Sequence, residues 1–190
     1  MTLKTQIDHD YKSLKYYFSK LFELYEGAIK EEQSFSMQVL DEGFIETHKT
    51  YHGFSQFIKP DMLLNIYSYL EFWLISICEN QKKLKKLSLS YKDIRGDNDL
   101  HTYRKYLVKC AGIELKSVKN DYDRIQDLRK IRNYLVHHGG YVAHISVKEQ
   151  EKIANIDGVS LSASLIIIED DFVNKCLESA NKFLRNASDI

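Results

Sequence analysis

The chain has 190 residues, and its 27 lysines and arginines balance 27 aspartates and glutamates, so the formal net charge at pH 7 is zero. This balance argues against a protein that coats nucleic acid through bulk positive charge, although it leaves room for a local basic cleft. The length suits one domain with its own core. A single proline and long periodic segments favour an all-α fold.

The first predicted element is a long N-terminal helix with a narrow apolar seam. Its apolar residues follow a spacing of three and four positions: Ile7, Tyr11, Leu14, Phe18, Leu21, Tyr25 and Ala28. Such a seam packs against a partner helix, either from the same chain or from a second copy. A weaker pattern predicts a further helical segment, carried by Phe35, Val39, Leu40, Phe44 and Ile45.

The next helix is predicted from Asp61 to about Lys86. It is apolar on almost every face, so we expect it to be the most buried element. Glu71 is the only charged residue between Asp61 and Glu79. A buried carboxylate needs a cation, and Arg132 is the candidate. Alternatively, Glu71 faces solvent on a narrow polar strip.

Lysines end this helix, where they favour its C-terminal dipole and are expected to form a solvated face: Lys82, Lys83, Lys85 and Lys86. Asn98 is predicted to cap a third helix that ends by Gly112. Short strands or extended segments over residues 159–161 and 165–168 precede a last helix, which begins at Asp170 or the next residue.

The residues with the most chemical potential lie at the end of a helix predicted from Asn120 to the Gly139-Gly140 pair. Its core face is defined by Ile125, Leu128, Ile131 and Leu135. Arg132 lies at the edge of that face. Asn133 and His137 are neighbours one turn apart on an adjoining strip.

Two further residues extend this polar border. Arg129 precedes Asn133 by one turn, and His138 falls on the other side of the helix, near Ile131. The helix therefore gathers a guanidinium, an amide and an imidazole along one edge of its core face. The simpler interpretation is a capped surface helix whose last-turn histidine complements the helix dipole.

No metal or cofactor is expected from the sequence. Cys78, Cys110 and Cys176 have no metal-like spacing and are typical of buried thiols in a reducing cytosol. The N-terminus has no apolar signal region, and the most apolar run, residues 62–78, falls short of a membrane span. The sequence therefore predicts a cytoplasmic protein without a membrane partner.

The stretch DLRKIRNYLVHHGG at residues 127–140, together with the order of predicted helices, resembles the HEPN superfamily. The likeness covers most of the chain, but only the segment from Arg132 to His137 is specific. The signature of the family is an arginine, usually followed by a polar residue, and then a histidine after four to six intervening positions. Arg132, Asn133 and His137 match it, with His138 as a less favoured alternative.

The resemblance implies a single HEPN-like helical bundle over residues 1–190 that forms a homodimer. It implies a metal-independent endoribonuclease site where two subunits meet. It also implies a toxin or abortive-infection protein of antiphage defence, with RNA as substrate and an antitoxin or regulatory protein as a candidate partner. The expected catalytic and supporting residues are Arg132, Asn133, His137, Glu71, Arg129 and His138. The alternative is a catalytically silent HEPN domain that binds a protein or a nucleotide.

The side chains suit this chemistry. Metal-free RNA cleavage requires proton removal from the ribose 2′-oxygen and proton delivery to the 5′-oxygen, and histidine performs both near neutral pH. A guanidinium stabilises the extra negative charge of the phosphorane through paired hydrogen bonds. Two subunits across a two-fold axis would supply both an acid and a base from a chain with one site histidine.

Overall fold

The fold class is all-α, as the sequence predicts. The computed structural model describes residues 2–36 and 53–188, of which 73% are helical. These residues form six α-helices and one small two-stranded sheet. The further helical segment predicted around residues 39–45 lies outside the described residues.

The helices follow in chain order as α1 (Leu3–Ser36), α2 (Lys59–Leu84), α3 (Asp99–Lys109), α4 (Lys119–His138), α5 (Val147–Ala154) and α6 (Asp170–Ala187). Between α5 and α6, strand β1 (Val159–Ser162) pairs antiparallel with strand β2 (Leu165–Ile168). A π-helical turn (Phe54–Ile58) leads into α2, and a short 3-10 turn (Tyr91–Asp93) lies between α2 and α3.

Local signals place most of these elements. The Asn98 side chain accepts a hydrogen bond from the His101 backbone N–H at 3.0 Å and so caps α3 as predicted. The predicted long first helix and the extended segments before the last helix are also present. Helix α5 is absent from the sequence prediction, because its eight residues bury only Ile153 and give little periodicity to detect.

The described residues group into two compact units. The first contains the described residues of Met1–Tyr11, Asn65–Arg129 and Lys175–Ile190, and the second contains those of Lys12–Leu64 and Lys130–Asn174. The single domain predicted over the whole chain stays a prediction.

A half-buried tyrosine hydroxyl joins three segments of the first unit. Tyr69 on α2 donates to the Ile7 carbonyl oxygen at 3.2 Å and contacts Asn181 Oδ1 of α6 at 3.3 Å. Burial raises the pKa of Tyr69 well above its usual range. The hydroxyl therefore stays protonated and available as a donor near neutral pH. Elsewhere in this unit, the rings of Tyr122 and Phe183 pack with centroids 5.5 Å apart.

A buried lysine holds the second unit together. Lys59, only 6% exposed, donates to the Ile168 carbonyl oxygen at 3.0 Å and pairs with Asp170 at 2.6 Å. It also lies 5.6 Å from the centre of the Phe54 ring, which stacks on Tyr25 at 3.9 Å. A buried ammonium is stable only with such partners, so Lys59 fixes the starts of α2 and α6 against the end of β2.

The cysteines differ in burial. Cys78 and Cys176 are buried free thiols, and burial raises the pKa of Cys78 to about 12. Cys110 is half-buried, so the prediction of three buried thiols is wrong at this position. The reason is local, because Cys110 is the C-cap residue at the end of α3.

Candidate functional site at the end of helix α4

Two glycines end α4 and hold its last turn in place. Gly139 and Gly140 adopt left-handed backbone conformations, with φ of +58° and +80°, which favour glycine. The Gly140 N–H donates to the Tyr134 carbonyl oxygen at 3.1 Å, and its own carbonyl accepts from the Ile166 N–H of β2 at 3.0 Å. The helix therefore ends where predicted, and a backbone hydrogen bond connects the residue after its end to β2.

Arg132 and Asn133 contact each other on the last two turns of α4. The guanidinium Nη1 donates to Asn133 Oδ1 at 3.3 Å, and both side chains are half-buried. This bond restricts the rotamers of both side chains. It also uses the amide oxygen of Asn133, so the remaining polar atoms of that amide are its two N–H donors.

His137 lies one helical turn after Asn133 and is exposed. No described residue makes a hydrogen bond with its ring, whose centroid is 6.5 Å from that of His138. Within the described part of the chain, the ring nitrogens of His137 are therefore open to a ligand or a partner.

His138 differs from His137 because it has a partner in the turn that follows α4. Its Nδ1 lies 3.0 Å from His144 Nε2, and the two rings are 4.4 Å apart. Both residues are exposed. In this contact one ring nitrogen donates and the other accepts. His144 was not singled out from the sequence, because six residues and a glycine turn separate it from His138.

Glu149 and the side chains that contact it support the same helix end. Glu149 on α5 accepts from the Tyr134 hydroxyl at 3.3 Å and pairs with Lys130 at 3.4 Å and with Lys152 at 3.2 Å. The hydrogen bond from Lys152 is the main reason that the pKa of Glu149 lies below its usual value, with Lys130 adding to the effect. Partial burial raises the pKa of Tyr134, and the neighbouring Glu149 raises it further.

A sequence signal for this cluster does exist. The pattern Ser146-Val147-Lys148-Glu149 is the start of a capping box, and the Ser146 hydroxyl accepts from the Glu149 N–H at 3.3 Å. This pattern predicts a helix that begins after Ser146 and contains Glu149 in its first turn. Its pairing with the residues of α4 is set only by the fold.

The remaining expected site residues belong to the first unit. Glu71 is half-buried on α2, and Arg129 is half-buried on α4. The pairing of Glu71 with Arg132 and the contribution of Arg129 beside Asn133 stay predictions.

No family model, curated protein or solved structure matches this chain. The resemblance to HEPN proteins therefore depends on the Arg132-to-His137 segment and on the helical pattern around it. Among the residues that the structure describes, no helix is long and apolar enough to cross a membrane. Within the same ranges, no three His, Cys, Asp or Glu side chains are grouped so that they could hold a metal ion.

Proposed function

We propose that this protein is a metal-independent endoribonuclease of the HEPN toxin or abortive-infection type, acting as a homodimer. The main support is the arrangement at the end of α4. Arg132 is held by Asn133, and the exposed His137 follows one turn later. These are the three residue types that metal-free RNA cleavage uses, gathered on the last two turns of one helix.

The proposed reaction is an internal transesterification. The ribose 2′-oxygen attacks the adjacent phosphorus, the O2′–P bond forms and the P–O5′ bond breaks. One His137 accepts the 2′ proton, and the His137 of a second copy donates a proton to the leaving 5′-oxygen. The products are a 2′,3′-cyclic phosphate end and a 5′-hydroxyl end. Proton exchange with water then resets the two imidazoles.

Arg132 and Asn133 would act on the phosphate rather than on the protons. The phosphorane gains negative charge on its equatorial oxygens, which a guanidinium stabilises with paired N–H donors. The contact with Asn133 favours this role, because a group that is already oriented needs little reorganisation during the reaction. The free amide N–H groups of Asn133 could donate to the same phosphate.

The alternative is a catalytically silent HEPN domain that binds a protein or a nucleotide. The observation that favours it is the His137 ring, which no described residue orients through a hydrogen bond. In many catalytic histidines a second group fixes the tautomer. In this alternative the end of α4 is a docking surface, and His137 contributes contacts without proton transfer.

The decisive experiment compares the wild-type protein with His137→Ala. Induced expression should stop growth and fragment cellular RNA only for the wild type. The purified wild type should cleave RNA in excess EDTA and leave 2′,3′-cyclic phosphate ends. Absence of cleavage by the folded wild type would favour the binding module. Activity that is lost on chelation and restored by magnesium would point to another kind of active site.

A further inference from the structure

A cavity of about 600 Å³ lies in the first unit, where the end of α2 meets the turn that follows it. Its charged lining consists of Lys82, Lys83, Lys86, Lys92 and Glu79, which gives four positive charges and one negative charge. The volume is typical of sites for small ligands. We propose that this cavity binds two or more neighbouring phosphate groups of an anionic ligand.

Dipole compensation at the end of α2 accounts for only part of this lining. Lysines in the last turn of a helix favour its C-terminal dipole, but Lys92 belongs to the separate 3-10 turn. Lys85 is the one that reaches a backbone carbonyl, because its Nζ donates to the Ala111 oxygen. Lys82, Lys83 and Lys86 make no ion pair with any described residue. Lys83, Lys85 and Lys86 are exposed, as the predicted solvated face requires, whereas Lys82 is half-buried.

The backbone at Lys86 gives a second indication. Lys86 adopts a left-handed conformation with φ of +49° at the position where helices usually carry glycine. The following residue, Leu87, donates its N–H to the Lys82 carbonyl oxygen at 3.0 Å and so closes the helix end. A lysine at this position strains the backbone, and its side chain lines the cavity.

The nearest acidic residue of the 3-10 turn does not neutralise these lysines by a direct contact. Asp93 accepts from the Ser90 N–H at 2.7 Å and from the Ser90 hydroxyl at 2.9 Å, and these bonds are the main reason that its pKa is lowered. The positive charge of Lys82 lowers this pKa further, so Asp93 offsets part of the charge of the lysines. Glu79 remains as the only carboxylate in the lining. The excess of positive charge is therefore available to a ligand with several negative charges, and a phosphate chain has that property.

Two sources of this chemistry are the polyphosphate of a free nucleotide and the successive phosphates of an RNA strand. The test is calorimetric titration with three probes: inorganic tripolyphosphate, ATP and a short 2′-O-methyl RNA. The methylated RNA cannot undergo attack by its 2′-oxygen, so binding is measured whether or not the protein cleaves RNA. If only ATP and tripolyphosphate bind, and their binding depends on the lysines of the cavity, the ligand is a compact polyphosphate. If the RNA binds in the same lysine-dependent way, the ligand is a nucleic-acid strand.

Variants distinguish binding in the cavity from non-specific binding to lysines elsewhere on the surface. Lys82→Gln combined with Lys86→Gln should weaken binding about tenfold or more. The matched control, Lys116→Gln combined with Lys119→Gln, removes two exposed lysines of the same unit and should change affinity less than about twofold. Glu79→Gln should strengthen binding several-fold, because it removes the opposing charge. Thermal melting checks that each variant is folded.

The salt dependence of the RNA affinity is a further measurement, and it would not change if the lysines only stabilised the fold. For the RNA probe, the slope of log affinity against log salt should become shallower by about 0.7 for each lysine that no longer contacts a phosphate. Equal losses in the cavity and control variants, an unchanged affinity in Glu79→Gln, or no binding of any probe at millimolar concentration would each overturn the proposal.

Discussion

At the scale of single residues, the two adjacent histidines of α4 have different surroundings. His138 contacts His144, whereas no described residue makes a hydrogen bond with His137. A catalytic imidazole must have its nitrogens available to substrate, so the proposal assigns the reaction to His137. Because both side chains are exposed, replacing either one removes little buried surface.

The first prediction separates these two residues. His137→Ala should abolish RNA cleavage and toxicity, whereas His138→Ala should retain most of the activity. Both variants should melt close to the wild type. His144→Ala is a matched control, because it breaks the same contact as His138→Ala from the other side. Equal loss of activity in His137→Ala and His138→Ala, or loss in His138→Ala alone, would reverse the assignment.

The second prediction tests how Arg132 acts. Arg132→Lys keeps the positive charge but cannot supply two parallel N–H donors. If the guanidinium stabilises the phosphorane, the lost transition-state hydrogen bond should cost about 2–4 kcal/mol. That is roughly a thirtyfold to thousandfold loss of rate. The single-turnover rate should fall while apparent RNA affinity changes little.

Thermal melting of Arg132→Lys is the control for this prediction, because the loss of the contact between Arg132 and Asn133 could also change the stability of the protein. Asn133→Ala removes that contact and also the amide proposed to donate to the phosphate, so its rate reports the combined contribution of the Asn133 amide. A single-turnover rate near that of the wild type in a normally folded Arg132→Lys protein would exclude a bidentate role. It would favour the binding-module alternative.

At the scale of elements, the end of α4 depends on its attachment to α5. Glu149 connects the two helices through Tyr134 and Lys130. The sign of its pH dependence follows from the direction of its pKa shift. Since the folded-state pKa of Glu149 lies below its ordinary value of 4.5, its contribution to stability is full above that value and is lost as the pH falls.

The third prediction follows from this link. Glu149→Gln should lower the melting temperature at pH 7, and the difference from the wild type should shrink as the pH falls below about 4.5. Glu151→Gln is the matched control, because Glu151 is exposed on the same helix. Melting curves at pH 7 and pH 3.5 measure the effect. A difference that is equal at both pH values would show that the charge of Glu149 does not stabilise this link.

At the scale of the whole molecule, the proposed mechanism needs a second copy of the chain. Part of the predicted seam of α1 is used within the chain, since Ile7 and Phe18 are buried. Other apolar residues of α1 face solvent: Tyr17 is 50% exposed and Leu24 is 70% exposed. These two positions are seven residues apart and so lie on one side of the helix. A symmetric dimer would cover such a surface.

The fourth prediction concerns this assembly. Light scattering at micromolar concentration should give about twice the chain mass of 22.3 kDa. Leu24→Asp should shift the protein toward the monomer and reduce cleavage with it. Leu89→Asp is the control, because Leu89 is also exposed but lies away from α1 in the sequence. A strictly monomeric wild type that still cleaves RNA would contradict the shared-site mechanism.

The sequence by itself determined the features that depend on neighbouring residues. Asn98 predicts the start of α3 and Gly139-Gly140 predicts the end of α4, because capping and left-handed backbone conformations are local properties. The periodicity of apolar residues likewise predicts the long first helix and the all-α class. Where that periodicity is short, as in α5, the prediction failed.

The tertiary structure decided which distant side chains meet. The contact of His138 with His144 requires the glycine turn to reverse the chain, and Glu149 reaches Tyr134 only because α5 packs beside α4. The lysines that end α2 line a cavity only because the 3-10 turn brings Lys92 to them. Spacing along one helix fixes angles around its own axis, but it carries no information on where the chain goes after the helix ends.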